Sequence, residues 1–165
     1  MDEEFLLHVV LFQPEIPQNT GNIGRTCVAA GAKLWLVQPL GFRLDHVHLR
    51  RAGMDYWEHL QYELLADWQA VTSRFPRERL WLFTKFGKKL YSSAHFRCGD
   101  VLVFGNESSG LPASVRQSLE DRTLFIPMRP AARSLNLACA VAVGVYEALR
   151  QLQYRSADDA QLQSS

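Results

Sequence analysis

Val101-Leu102-Val103-Phe104-Gly105-Asn106-Glu107-Ser108-Ser109-Gly110-Leu111-Pro112 is the stretch on which the reading of this chain turns. Its four leading apolar residues, two of them β-branched and one aromatic, describe a buried strand. Two glycines then bracket a lone carboxylate, Glu107; Gly105 and Gly110 allow backbone geometry and close ligand approach that a side chain would block. Pro112 is well placed as a first helical residue. Such a segment is either an ordinary strand-to-helix turn or the floor of a binding site, and on these residues alone the two readings stand level.

Outward from this stretch, strands and helices alternate. Residues 8–12 and 33–37 read as short buried strands, and residues 19–30 between them as a helix stopped by Gly31. A helix over about 66–74, strands at 80–84 and 123–126, and a helix after Pro112 continue the pattern. It implies an α/β fold, a mostly parallel sheet with helices on both faces. In such sheets ligands sit outside the carboxyl ends of the strands. The last helix is read from Ser134 to about Leu152, with Leu137, Val141, Val145 and Leu149 at four-residue spacing and no charge from Ala138 to Tyr146. A helix apolar nearly all round needs burial on more than one side, in the core or against another subunit.

Bulk properties fit this reading. A chain of 165 residues, 47% hydrophobic and 21% charged, suits one domain, expected over 1–154 and followed by a polar, flexible tail at 155–165. The sequence has neither a charged-then-apolar leader pattern nor an apolar run able to cross a bilayer, so a cytoplasmic protein without membrane contact is expected. Cys27, Cys98 and Cys139 are widely spaced and form no C-x-x-C pair, which points to small buried hydrophobes rather than disulfides or a zinc knuckle. A net charge of +1 argues against a uniformly basic nucleic-acid binder. Positive charge is nevertheless concentrated at Arg50-Arg51, at Arg74 with Arg77 and Arg79, and at Lys85 with Lys88-Lys89, each most simply a solvated surface cluster.

Two further segments carry potential chemistry. Asn19-Thr20-Gly21-Asn22-Ile23-Gly24-Arg25 opens the first helix, whose free N–H groups suit an anion. Arg25 follows Asn19 by nearly two turns, close to its face, where a guanidinium can clamp a phosphate or a developing oxyanion. Neither the G-x-G-x-x-G nor the G-x-x-x-x-G-K-[ST] pattern is present. Ile126-Pro127-Met128 and Ser134-Leu135-Asn136-Leu137 flank a loop with Arg129 and Arg133. The loops after Phe83-Thr84, Phe104 and Ile126 converge if their strands are neighbours, and would offer backbone amides and carbonyls to a heterocycle. His46 and His48 share a face if extended but have no third ligand in place, so no metal is expected. Ser108 and Ser109 lack the G-x-S-x-G elbow of a serine nucleophile.

In this order and spacing, the three segments resemble the SPOUT class of RNA methyltransferases, with its N-x-G-x-x-x-R, G-x-E-x-x-G-L-P and I-P-M…S-x-N-L motifs. Pro14-Glu15-Ile16-Pro17, Gly41-Phe42, Leu49-Arg50-Arg51-Ala52-Gly53-Met54-Asp55-Tyr56 and Val145-Tyr146-Glu147-Ala148 look like the small bacterial branch that methylates the tRNA wobble nucleotide. The resemblance spans about residues 8–154 and implies a C-terminal trefoil knot and a homodimer. It further implies S-adenosylmethionine bound by Phe83, Thr84, Gly105, Glu107, Gly110, Ile126, Met128, Ser134 and Leu137, with S-adenosylhomocysteine as product and no metal. The implied acceptor is the ribose 2′-hydroxyl of cytidine or uridine 34 in tRNA, tRNA-Leu isoacceptors in particular. Another tRNA or rRNA ribose, or a non-catalytic RNA-binding role, are the alternatives.

By the same resemblance Arg25, Asn19 and Tyr146 are the catalytic set. Arg25 is expected to stabilise the developing alkoxide, since a guanidinium is a poor base; proton removal by a perturbed Arg25 is the competing account. Asn19 would orient Arg25 or the loop, Glu107 would fix the knot loop through backbone N–H groups, and Tyr146 would approach the acceptor nucleotide. The chain departs from the class at Ser108-Ser109, where glycine or a basic residue is common, and at Ala138, where serine is frequent.

Overall fold

The computed structural model describes residues 5–45 and 55–153. His46 and His48, the Arg50-Arg51 pair, the rest of the 49–54 motif and the tail 155–165 lie outside the described residues.

Seven strands of the described residues form one sheet: β1 (Leu7–Phe12), β2 (Ala32–Val37), β3 (Tyr62–Leu65), β4 (Leu80–Phe83), β5 (Lys89–Leu90), β6 (Asp100–Phe104) and β7 (Thr123–Phe125). Their order is β3-β2-β1-β6-β4-β7-β5, and each adjacent pair is parallel. Both sides of the sheet are covered. On one face α1 (Pro17–Ala30) and α4 (Leu137–Gln151) bury Ile23, Cys27, Val141 and Val145 against Val9, Leu11, Leu34 and Leu102. On the other, α2 (Trp68–Arg74) and α3 (Ala113–Ser118) bury Val71 and Val115 against Val10, Trp35, Val101 and Val103. Consecutive strand residues alternate between these two cores, as the pleat requires. The central strands β1, β2, β4 and β6 are therefore buried at every residue, which is why they read as apolar runs, interrupted near their amino ends by His8, Lys33 and Asp100.

The elements differ from the sequence reading mainly at their ends. Helix α1 starts at Pro17 rather than Asn19, because a proline's fixed φ and missing N–H fit the first helical position. Helix α4 starts at Leu137, not Ser134: Asn136 is its N-cap, its side-chain oxygen accepting the Cys139 N–H at 3.2 Å. Strands β3 and β5 were not foreseen. Both are short, exposed or half-exposed edge strands without an apolar run to reveal them.

Candidate active site

The sheet order makes β6, β4 and β7 neighbours, so the loops leaving their carboxyl ends meet. Between them lies a cavity of about 430 Å³, within the range of small-molecule sites. Phe83, Thr84, Gly105, Glu107, Gly110, Ile126, Met128, Ser134 and Leu137 all line it, so the structure brings together every residue of the expected donor-binding set. Lys85, Phe86 and Arg133 line it as well. Nothing in the sequence pattern had marked Phe86, because an aromatic between lysine and glycine looks like any loop hydrophobe.

The loop after β6 is tightly self-organised. Asn106 and Gly110 form an antiparallel bridge, and the Asn106 side-chain oxygen accepts from the Ser109 N–H at 2.9 Å and its hydroxyl at 2.8 Å. Gly110 closes the turn at φ +66°, and a Cβ on Gly105 would stand 2.1 Å from the Gly110 carbonyl carbon. Glycine is therefore needed at both ends of the loop.

Glu107 turns its carboxylate away from its own loop. Oε2 accepts the Glu15 N–H at 2.8 Å, and Oε1 accepts the Ile16 N–H at 3.0 Å and the Asn19 side-chain amide at 3.3 Å. Ile16 is the N-cap of α1 and makes no side-chain cap itself, so a carboxylate about ninety residues distant supplies the acceptor, where the helix dipole also favours it. Backbone N–H partners were expected for Glu107, and those found belong to the segment that starts the first helix. Asn19 is buried and bridges further, its oxygen accepting from the Asn136 amide at 3.0 Å. Ser108 adds a hydroxyl bond of 2.5 Å to the Glu15 carboxylate. The starts of α1 and α4 and the β6 loop are thus joined by one polar chain, Glu107–Asn19–Asn136.

Arg25 occupies a different place. Six residues along a helix turn through about 120° relative to Asn19. Arg25 consequently points to the exposed side of α1, with its guanidinium 5.1 Å from the ring centre of Tyr56, rather than sharing the Asn19 face. Tyr56 in turn donates its hydroxyl to the Gly21 carbonyl. Neither Arg25 nor Tyr146 is among the residues lining the cavity of the same chain. Tyr146, 44% exposed, lies with Cys139 and Val143, 37% exposed, on the outer stripe of α4. The structure therefore divides the expected site into a cavity at the strand ends, a polar tie behind it, and two exposed side chains outside it.

The cavity suits the donor that the motifs imply. Its walls combine the stacked rings of Phe83 and Phe104, 4.6 Å apart, with Ile126 and Leu137 and with the backbone of three strand-end loops. That is an apolar slot edged by backbone donors and acceptors, suited to a purine. Among the described residues no group of three or more His, Cys, Asp or Glu is placed to hold a metal ion.

Comparison with known proteins gives a consistent picture. The SpoU rRNA Methylase family matches residues 6–146. The chain is 46% identical over 150 residues to a tRNA (cytidine(34)-2′-O)-methyltransferase of Saccharophagus degradans, a match covering 90% of this chain and 97% of the relative. A solved structure concerned with the 2-OH methylation of C/U34 on tRNA superposes with a TM-score of 0.85 at 48% identity, covering 92% of this chain and 99% of the other. The SpoU methyltransferase AviRb of Streptomyces viridochromogenes, crystallised in complex with AdoMet, superposes with a TM-score of 0.78 at 28% identity, over 93% of this chain and 60% of AviRb.

Proposed function

The chain belongs to the SpoU rRNA Methylase family, and from that premise we propose that it is an S-adenosylmethionine-dependent 2′-O-methyltransferase of nucleotide 34 in tRNA. The observation that carries this reading is the convergence of three strand-end loops on one cavity, in a chain 46% identical to a relative of that name. The donor, when bound, would supply a methyl group on a positively charged sulfur; the sulfur–methyl bond would break as the bond to the ribose oxygen forms, leaving S-adenosylhomocysteine and releasing the hydroxyl proton to water.

The chain's own residues then have two tasks. The cavity walls, Phe83, Phe104, Ile126 and Leu137 with the loop backbone, hold the donor in position, which is the larger part of the catalysis of such a displacement. Arg25 stabilises the negative charge that grows on the ribose oxygen and anchors a neighbouring phosphate; a guanidinium does not give up its proton readily enough to serve as the base. The tie through Glu107, Asn19 and Asn136 keeps the helix that carries Arg25 in register with the donor loop.

Arg25 does not line the cavity of its own chain, and this favours a homodimer in which it serves the partner's donor. The exposed apolar stripe of α4, Cys139, Val143 and Tyr146, supports such an interface, with Tyr146 close to the acceptor nucleotide. The loops around the cavity are proposed to form the trefoil knot of the class, in a single methyltransferase domain working in the cytoplasm with tRNA. Among the described residues no helix is long and apolar enough to cross a membrane.

The test is transfer of labelled methyl from S-adenosylmethionine to tRNA, followed by nuclease digestion and mass spectrometry. Label on the ribose of nucleotide 34, missing from tRNA of cells without this protein, is the expected result. Label confined to rRNA or to another tRNA position would replace the substrate, and a folded protein that binds no donor in calorimetry would overturn the reading.

A further inference from the structure

Phe86 stands on the rim of the donor cavity with 56% of its surface open to solvent, the most exposed large hydrophobic side chain among the described residues. Its loop is held firmly. Thr84 accepts the Phe86 N–H at its hydroxyl, 3.2 Å, and the Gly87 N–H at its carbonyl, 3.0 Å. Gly87 runs so close to β7 that a Cβ would stand 2.3 Å from the Leu124 carbonyl carbon, and the Lys88 N–H donates to the Thr123 hydroxyl at 3.1 Å. The ring is thus presented outward by a pinned backbone.

Two cations accompany it. The Arg116 guanidinium lies 4.2 Å from the ring centre, steadied by its Nε donating to the Leu111 carbonyl at 3.3 Å, and the Lys85 ammonium lies 5.2 Å away. Cation–aromatic pairing is a common structural contact and accounts for the position of Arg116. It does not account for a ring left more than half in water beside a cavity. An aromatic face flanked by positive charge is the arrangement with which proteins hold unpaired nucleobases, the ring stacking on the base and the cations neutralising its phosphates. Because Phe86 and Lys85 line the same cavity as the donor-binding residues, a base stacked there neighbours the ribose that receives the methyl group.

We infer that Phe86, with Arg116 and Lys85, is a stacking platform for the unpaired RNA base adjoining the acceptor nucleotide. This deepens the reading of the chain as an RNA 2′-O-methyltransferase and rests on it. Phe86, on the rim of the donor cavity, is then a substrate-positioning residue.

The experiment uses the full-length protein and its Phe86→Ala, Phe86→Leu and Phe86→Trp variants. Methyl transfer to tRNA is measured at varied RNA, and S-adenosylmethionine binding by calorimetry. F86A is expected to raise KM for tRNA about tenfold, the loss of one base–aromatic stack, while donor affinity changes less than about twofold. F86W should restore KM and F86L should not. A donor affinity that falls about fivefold or more in F86A with KM for tRNA unchanged would make the ring a wall of the donor cavity, and F86L behaving like the wild type would make it a mere apolar filler; either overturns the inference. A second arm needs no activity: an anticodon stem-loop RNA with 2-aminopurine beside the acceptor position should be quenched by wild type and F86W but not by F86A. If the wild type methylates no RNA, the proposed function fails by itself, and this arm alone decides the platform; absence of quenching by the wild type would overturn it.

Discussion

Asp100 opens β6 with 2% of its surface exposed and accepts three hydrogen bonds, from Trp81 Nε1 at 2.9 Å, the Arg97 N–H at 2.9 Å and Arg79 at 3.3 Å. Four residues later the same strand ends at Phe104 and releases its chain into the open loop of the cavity. The two ends of the sheet use the same residue types differently. At the amino ends of the strands, Arg122 lies 3.5 Å from the ring centre of buried Trp81, and burial draws its guanidinium below the usual range, with Asp100 acting in the opposite direction. There too Lys33 sits 4.2 Å over Trp35 and pairs with Glu63 at 2.6 Å, while His8 accepts from Trp35 Nε1 at 3.1 Å. At the carboxyl ends, Arg116 over Phe86 leaves the ring open to solvent. Satisfied polar groups hold one end shut, and the other end keeps its surface free for ligands. Stability and chemistry are thereby separated along the strands, so a substitution at one end should leave the other property nearly unmoved.

The hardest strain on that contrast is Asp100→Ala. It strands a buried indole N–H and a backbone N–H and unpairs Arg79, which should cost about 3–5 kcal/mol in urea denaturation. S-adenosylmethionine affinity of the remaining folded protein should be unchanged; a matching loss of affinity would break the separation. The mirror experiment is Arg25→Ala, expected to lower kcat about 10²- to 10³-fold. Its unfolding free energy should fall by no more than about 1 kcal/mol, the exposed side chain losing its contact with the Tyr56 ring.

Glu107→Ala tests the residue that joins both roles. It removes the acceptor for the Glu15 and Ile16 N–H groups at the start of α1, at an expected cost of about 2 kcal/mol measured by thermal or urea unfolding. It should also lower methyl transfer by loosening the helix that carries Arg25, with Glu107→Gln intermediate in both measurements.

An effect confined to alkaline pH concerns the core beneath α1. Burial pushes the Cys27 thiol up from its ordinary 9.0 to about 12. Below pH 9 the folded and unfolded thiols are both protonated and the group is silent. Above pH 9 the unfolded chain holds fewer protons than the native one, so stability falls with rising pH, by about 1.4 kcal/mol per unit until about pH 12. The difference between wild type and Cys27→Ala in urea midpoints across that window isolates the effect.

Much of the site was legible in the sequence because its demands are local. Gly105 and Gly110 answer to the geometry of a single turn, and the apolar runs before them to burial on both sheet faces. The nine expected donor-binding residues were named from the resemblance of these motifs to the SPOUT class, and the fold places all nine around one cavity. Arg25 could be singled out as well, but its direction was misread as close to the Asn19 face: six residues of helix set it about 120° away, and the fold lays it on Tyr56. The partners of Glu107 were hidden for another reason. They are backbone N–H groups of Glu15 and Ile16, which any residue but proline carries, so side-chain identity holds no trace of them.

The order of residues by itself determined the alternation of strands and helices, the parallel sheet that follows from it, and the three loop motifs, since each depends on hydrophobic spacing or on a backbone angle set within a few positions. Only the tertiary structure decided that β6, β4 and β7 lie side by side, that a carboxylate from one loop caps a helix about ninety residues away, and that Phe86 faces water beside Arg116. Those outcomes depend on contacts between distant segments, whose geometry exists only once the sheet has brought them within hydrogen-bonding and stacking distance.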